Sequence, residues 1–464
     1  MAEHFDLVII GGGPGGYAAA FYASAAGLSV ALVERDKLGG TCLHRGCIPA
    51  KEFLETAAVF RNVRHAAEFG VQTSEPTIDF SVSQARKQKV VNLLWQGLQG
   101  LAKRRKVTVV AGTATLHHGN LVRVSDGSEL KGTDVILAAG SVPRTLPGFE
   151  PDGQLVFTSD EFLDLTVMPA SAVVIGGGAI GCEFASVMAD LGTKVTILEA
   201  LPKILPGCDS DCVSVVQRSF AKRGIEIRTA VAVTGHAPNG KGQTTVHFGE
   251  GESVTVDAVV VSVGRRPRTE DLIADGAGVA LNDRGFVAVD AYMRTSAPNV
   301  YAVGDVVPTA QLAHIGYAEA ILAVKTILGE GAIPIAYDRV PWCIYSHPEV
   351  AFAGMNEEQA RAAGLDIVVE KHRYAANGRA QILGETDGLV KIIAERDART
   401  GRAGRIVGVH MVGPWVTEQL GQAYLSVNWE ATVDEVAQFI QPHPSLSETF
   451  GEAVLALTGR GLNG

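Results

Sequence analysis

The chain has 464 residues, 47% of them apolar and 19% charged, with a formal net charge of −10. That length exceeds one ordinary hydrophobic core and predicts roughly two to four domains. The acidic balance argues against a nucleic-acid partner, and no apolar run reaches the roughly eighteen residues of a membrane span. Six cysteines in so long a chain argue for a reducing, cytoplasmic setting rather than a structural disulfide framework.

In chain order, residues 5–10 form a short continuous apolar run, the pattern of a parallel strand buried on both faces. Nothing like a targeting segment is expected ahead of it. It leads into Gly11-x-Gly13-x-x-Gly16, an alanine-rich helical stretch to about residue 26, a second strand over 28–33, and Glu34. This is the strand, glycine turn, helix, strand and acid of dinucleotide binding. The glycines admit a pyrophosphate, the helix N-terminus attracts it, and the acid accepts from a ribose hydroxyl.

Next comes Gly39-Gly40-Thr41-Cys42-Leu43-His44-Arg45-Gly46-Cys47-Ile48-Pro49-Ala50-Lys51. Pro49 suits the first turn of a helix, which places Cys47 at a helix N-terminus where a thiolate is stabilised. The spacing alone is compatible with a redox pair, with two buried thiols, or with half of a zinc site completed by Cys208 and Cys212. Context favours the redox pair: no second pair has finger-like spacing, and Cys208 and Cys212 follow a different glycine turn. No metal site is expected. Cys182 and Cys343 read as packed thiols.

Helical stretches follow over about 49–68 and 81–103. The basic run 103–106 at a helix end reads as a solvated face. A domain boundary is expected near 147–148. The nucleotide unit then returns: a strand at 172–175, Gly176-x-Gly178-x-x-Gly181, a helix, a strand over 194–198, and Glu199. The acid follows the first glycine by 23 residues in both copies (34 − 11 and 199 − 176). One such turn is weak evidence; two in the same register predict two nucleotide sites. Glu199 would accept from a free ribose 2′-hydroxyl and repel a 2′-phosphate, favouring NAD over NADP, although Lys203 stands nearby. Buried strands ending in glycine turns recur at 259–264 and 299–305. From about 338 strands alternate with amphipathic helices and no third fingerprint appears. Near the end stands Gln441-Pro442-His443-Pro444-Ser445-Leu446-Ser447-Glu448. There a histidine confined by two prolines could be oriented by Glu448, or could simply precede a helix cap.

The segment 39–51 closely resembles the active-site segment of the pyridine nucleotide-disulfide oxidoreductases. The resemblance extends through 134–141 (Ala139 stands where Thr is common), 259–267, 299–305 and 441–448 (Ser445 stands where Thr is usual), and so covers essentially the whole chain. It implies an α/β fold with two Rossmann-like dinucleotide-binding domains and a C-terminal α+β dimerisation domain. The implied divisions are 1–148 and 269–337 for FAD, 149–268 for NAD, and 338–464 for dimerisation. It implies a Cys42–Cys47 redox disulfide against the flavin, a Lys51–Glu183 pair beside it, and a His443–Glu448 acid–base pair reaching the other subunit of a homodimer. For FAD it implies Gly11, Gly13, Gly16, Glu34, Thr41, Lys51, Ala114, Gly140, Asp305, Gln311, Leu312, Ala313 and His314, the last through backbone contacts nearby. For NAD it implies Gly176, Gly178, Gly181, Glu199, Val233 and Gly264.

Within the family the likeness is greatest to the branch that oxidises dihydrolipoyl groups with NAD+. The implied partner is a lipoyl-bearing acyltransferase of a 2-oxoacid dehydrogenase complex, or a lipoyl carrier protein. The alternative is an NAD(P)H-dependent reductase of a low-molecular-weight disulfide of the glutathione or mycothiol type. Ala50, where Ser is common, and His44-Arg45 between the cysteines leave the thiol preference open. A third reading, of another class, is a flavin-carrying interaction protein whose disulfide is idle.

Overall fold

The N-terminal apolar run becomes the strand Glu3–Ile10, whose Leu7, Val8 and Ile9 are fully buried. It sits inside a seven-stranded sheet, in parallel register with Val30–Glu34 on one side and Glu129–Leu137 on the other. Burial on both faces explains why that run does not alternate with polar residues. A computed structural model describes residues 2–462. Met1, Asn463 and Gly464, at the outer ends of the first and last expected domains, lie outside the described residues.

Val300–Ala302 joins the same sheet, parallel to Glu129–Leu137, so a segment distant in sequence completes the first nucleotide-binding unit. A second, five-stranded parallel sheet runs Glu226–Arg228, Lys194–Leu198, Ser171–Ile175, Ala258–Val261 and Val156–Phe157. The three-stranded antiparallel sheet of Val233–Pro238, Thr244–Phe248 and Glu252–Val256 packs beside it. Two short strands, Ser141–Pro143 and Arg265–Pro267, pair antiparallel where the chain passes between the two units.

The C-terminal part is a five-stranded antiparallel sheet in the order Trp342–Ile344, Glu349–Gly354, Ala403–Gly413, Leu389–Arg396 and Ile367–Arg373. The helices Val416–Asn428 and Glu448–Leu457 pack on it. It is locked to the second unit through Lys391. That ammonium is 2% exposed and lies 2.9, 2.7 and 2.7 Å from carboxylates of Asp209, Asp211 and Glu357. Among the described residues no helix is long and apolar enough to cross a membrane.

Candidate active site

The two glycine turns are built alike. Gly11 and Gly176 have φ of +106° and +105°, a conformation that favours glycine. A Cβ on Gly16 would lie 1.8 Å from the Gly11 oxygen, and one on Gly181 would lie 2.0 Å from the Gly176 oxygen. The helices Pro14–Ala25 and Ala179–Asp190 therefore start flush against their sheets, with no side-chain cap, and their first-turn N–H groups remain available to an anion. Glu34 accepts from the N–H of Gly12 at 2.7 Å and of Asp36 at 2.8 Å. Glu199 accepts from Gly177 at 2.6 Å and Leu201 at 2.7 Å.

Gly39 and Gly40, both with positive φ, turn the chain into the short helix Gly40–Arg45, which carries Cys42. Gly46 breaks it, and Cys47 opens the helix Cys47–His65. The two cysteines stand as thiols in hydrogen-bond contact. That contact, with burial, holds Cys42 far above the usual thiol range. The same contact, helped by the Lys51 charge, brings Cys47 below it. Of the two, Cys42 therefore holds its proton the more tightly. One turn beyond Cys47, the Lys51 Nζ lies 2.8 and 3.0 Å from the two Glu183 oxygens and 4.8 Å from the centre of the Tyr345 ring. Burial works against the lysine charge, but Glu183 outweighs it and raises the Lys51 pKa.

One cavity gathers most of the residues expected for the flavin and the chemistry: Gly11, Gly13, Glu34, Thr41, Cys42, Cys47, Lys51, Ala114, Gly140, Glu183, Asp305, Gln311, Leu312 and Ala313. Gly16 is not on its wall and serves the packing of the turn. His314 is exposed, its ring nitrogen 2.8 Å from the Pro341 carbonyl. Cys343 lies on the cavity wall, its thiol pushed up to about 12 by burial and Glu349, whereas Cys182, Cys208 and Cys212 are core residues. The donor set fits FAD. The Nε2 of Gln311 is buried without a partner, a cost that a ligand acceptor would remove. The uncapped N-terminus of Ala313–Leu328 and the Asp305 carboxylate border the same space.

At the second turn, Gly178 lines a separate cavity with Leu205, Trp342 and Phe352. Gly181 and Glu199 are buried beside the turn. Gly264, with φ of +103°, accepts from the Arg144 N–H at 2.9 Å. Val233 is apart from these contacts: it opens an antiparallel strand opposite Phe248, and it is the N–H of Val231 that meets the Glu199 carbonyl, at 3.1 Å.

Residues 5–320 match the pyridine nucleotide-disulphide oxidoreductase family, and residues 340–454 match that family's dimerisation domain. The chain belongs to this family. A dihydrolipoyl dehydrogenase of Bacillus subtilis is 40% identical over 487 aligned positions, covering 100% of both chains. One from Zymomonas mobilis is 39% identical, again over 100% of both. Among solved structures, LpdA from Mycobacterium tuberculosis superposes with a TM-score of 0.90 at 27% identity, covering 98% of this chain and 100% of that one. The HOCl-induced flavoprotein disulfide reductase RclA from Escherichia coli gives 0.87 at 30% identity, covering 97% and 99%.

The dimerisation domain supports a homodimer for this oxidoreductase, and it carries the second constellation. His443 Nδ1 lies 2.8 Å from Glu448 Oε1, while Glu448 Oε2 accepts the Ser445 N–H at 2.7 Å. With Nδ1 engaged, Nε2 is the nitrogen able to take a proton. The His443 side chain is 79% exposed and does not line the cysteine cavity of its own chain.

Sequence reasoning missed the residues that hold Asp305. The Ser141 hydroxyl donates to its carboxylate at 2.5 Å, and Arg265 Nε donates to Ser141 Oγ at 2.7 Å. Glu319, fully buried, accepts the Gly304 N–H at 2.6 Å and the Tyr337 hydroxyl at 2.8 Å. Its signal was a lone acid within the apolar helix Ala313–Leu328.

Proposed function

We propose that this oxidoreductase is a dihydrolipoyl dehydrogenase: it oxidises protein-bound dihydrolipoyl groups to the cyclic disulfide through Cys42 and Cys47, with FAD in the first site and NAD+ in the second as acceptor. The observation that carries the reading is the adjacent thiol pair, of unequal proton affinity, on the wall of the FAD-suited cavity beside Lys51 and Glu183. The curated relatives, alike over their full length, support the substrate class.

With the pair oxidised, His443 of one copy takes a proton from one substrate thiol, and the resulting thiolate attacks Cys42 of the other copy. The Cys42–Cys47 bond breaks and Cys47 leaves as a thiolate, stabilised by the Lys51 charge and the helix N-terminus. The second substrate thiolate then displaces Cys42, forming the product disulfide, and the released Cys42 sulfur takes up that thiol's proton. FAD and NAD, when bound, supply the electron-pair transfer that returns the pair to the disulfide. Glu448 keeps the imidazole oriented throughout.

In this reading residues 1–148 and 269–337 form the FAD unit, 149–268 the NAD unit and 338–464 the dimerisation domain. The partner is a lipoyl-bearing acyltransferase or carrier protein, and the setting is cytoplasmic. The likeness to RclA favours one second reading, an NAD(P)H-driven reductase of a small disulfide, which uses the same thiols in reverse. Turnover with dihydrolipoamide and NAD+ against turnover with NADH and low-molecular-weight disulfides separates the two. Under the proposal Cys42→Ser abolishes dihydrolipoamide oxidation and His443→Ala lowers it by about 10² to 10⁴. Full activity in either variant overturns the assignment.

A further inference from the structure

The turn after the acid expected to meet the ribose, and the strand beside it, carry two cations, Lys203 and Arg228, and both are already engaged. Glu199 is 8% exposed and fixed by two backbone N–H groups. The turn after it is pinned: Leu205 N–H donates to Gly177 at 2.7 Å, Ala230 N–H donates to Leu201 at 2.9 Å, and Ile204 is fully buried. Within that turn Lys203 points its Nζ at Glu358, 3.5 Å away, and at Ser210 Oγ, 3.2 Å away. The Ser210 hydroxyl donates to the other Glu358 oxygen at 2.8 Å. On the neighbouring strand, the Arg228 carbonyl accepts the Glu199 N–H at 2.8 Å. The Arg228 guanidinium is taken by Glu252 and by Glu226, the latter at 3.6 Å.

We propose that Glu358 and Glu252 determine coenzyme choice together with Glu199, by sequestering Lys203 and Arg228, the cations that could otherwise receive a ribose 2′-phosphate. This rests on the reading of the second turn as the NAD site and adds to it, in Glu358, a source of discrimination outside the nucleotide-binding unit. Glu358 stands in the helix Glu357–Ala362 of the dimerisation domain, which is anchored by an Asn356 capping box and by the Glu357–Lys391 pair. The acid that pairs with Lys203 therefore comes from an element anchored apart from the nucleotide-binding unit. A phosphate would face one buried carboxylate and two cations already paired with other acids. An NAD ribose, carrying no charge at that oxygen, loses nothing.

The test uses the FAD-loaded dimer and the variants Glu358→Gln, Glu252→Gln, their double variant, and Lys203→Met/Glu358→Gln. Binding of 2′,5′-ADP and of 5′-ADP is measured by calorimetry, with kcat/KM for NADPH and NADH alongside. Since an exposed ion pair is worth at most about fivefold, each single substitution is expected to tighten 2′,5′-ADP by about threefold to fivefold and the double variant by about tenfold. Affinity for 5′-ADP and use of NADH should stay unchanged, and the gain from Glu358→Gln should vanish in Lys203→Met/Glu358→Gln. Unchanged 2′,5′-ADP affinity in the double variant, or a gain that survives without Lys203, overturns the proposal. Failure of the underlying site reading looks different: Glu199→Ala would then leave both 5′-ADP binding and NADH use untouched.

Discussion

Lys51 adds its charge to the Cys42 contact in lowering the proton affinity of Cys47. Its ammonium sits one helical turn from Cys47 and is kept charged by Glu183 at 2.8 Å. A neighbouring positive charge favours the thiolate. Lys51→Met is therefore expected to move the midpoint for iodoacetamide labelling of Cys47 in the reduced protein upward, as read by mass spectrometry across a pH series. An unmoved midpoint would mean that Cys42 alone sets the thiolate. His443 depends on its neighbour in a comparable way. Glu448→Ala removes the partner of Nδ1 and releases the Ser445 N–H, so kcat/KM for dihydrolipoamide should fall about tenfold, less than for His443→Ala, which deletes the base itself.

At the scale of elements, the turn bearing Asp305 is supported from the helix Ala313–Leu328. Removing the Glu319 carboxylate leaves the part-buried Gly304 N–H and Tyr337 hydroxyl without their acceptor, at about 1–3 kcal/mol in all. Glu319→Ala is expected to lower the thermal midpoint by several degrees and to weaken FAD retention in apoprotein reconstitution, while Glu319→Gln, which still accepts from Gly304, retains most of both. The strand Glu129–Leu137 carries a different strain. Burial raises Asp134 from 3.8 to about 6, so its charge is penalised in the folded state. The penalty is absent below about pH 4, grows as pH rises, and is complete above about pH 6. Asp134→Asn should thus raise the thermal midpoint at pH 8 and leave it unchanged at pH 4. Elements of this kind divide what the sequence reveals. The two glycine turns were legible because strand, turn and acid are local and repeat at one spacing, and 39–51 was legible because its cysteines and glycines are contiguous. Ser141, Arg265 and Glu319 were not: the first two meet only when strands 124 residues apart come together, and Glu319 meets the Gly304 turn, 15 residues before it, only through the way the helix packs back on it.

The whole molecule places the base and the cysteines on different surfaces of one chain. His443 is largely exposed and stands off the cysteine cavity. The dimerisation domain also exposes Trp415, Leu425, Phe439 and Ile440, the last 97% exposed, large apolar side chains that a partner surface would cover. Under the proposed function, a second copy related by a two-fold axis would cover them and bring each His443 to the other chain's Cys42, so that every site would draw on both chains. This has a consequence that no single-chain site shares. Cys42→Ser and His443→Ala homodimers are each inactive under this arrangement, because each lacks one half of both sites. A mixed dimer places the intact His443 of the first variant over the intact Cys42 of the second and regains one working site. Random reassociation of equal amounts gives mixed dimers as half of the population, and therefore about a quarter of wild-type dihydrolipoamide oxidation. Activity that appears on mixing, at a rate set by subunit exchange, supports the shared site. Mixtures that stay inactive after exchange, verified by differently tagged chains, would place both residues in a site built within one chain and refute the assignment of His443 across the dimer.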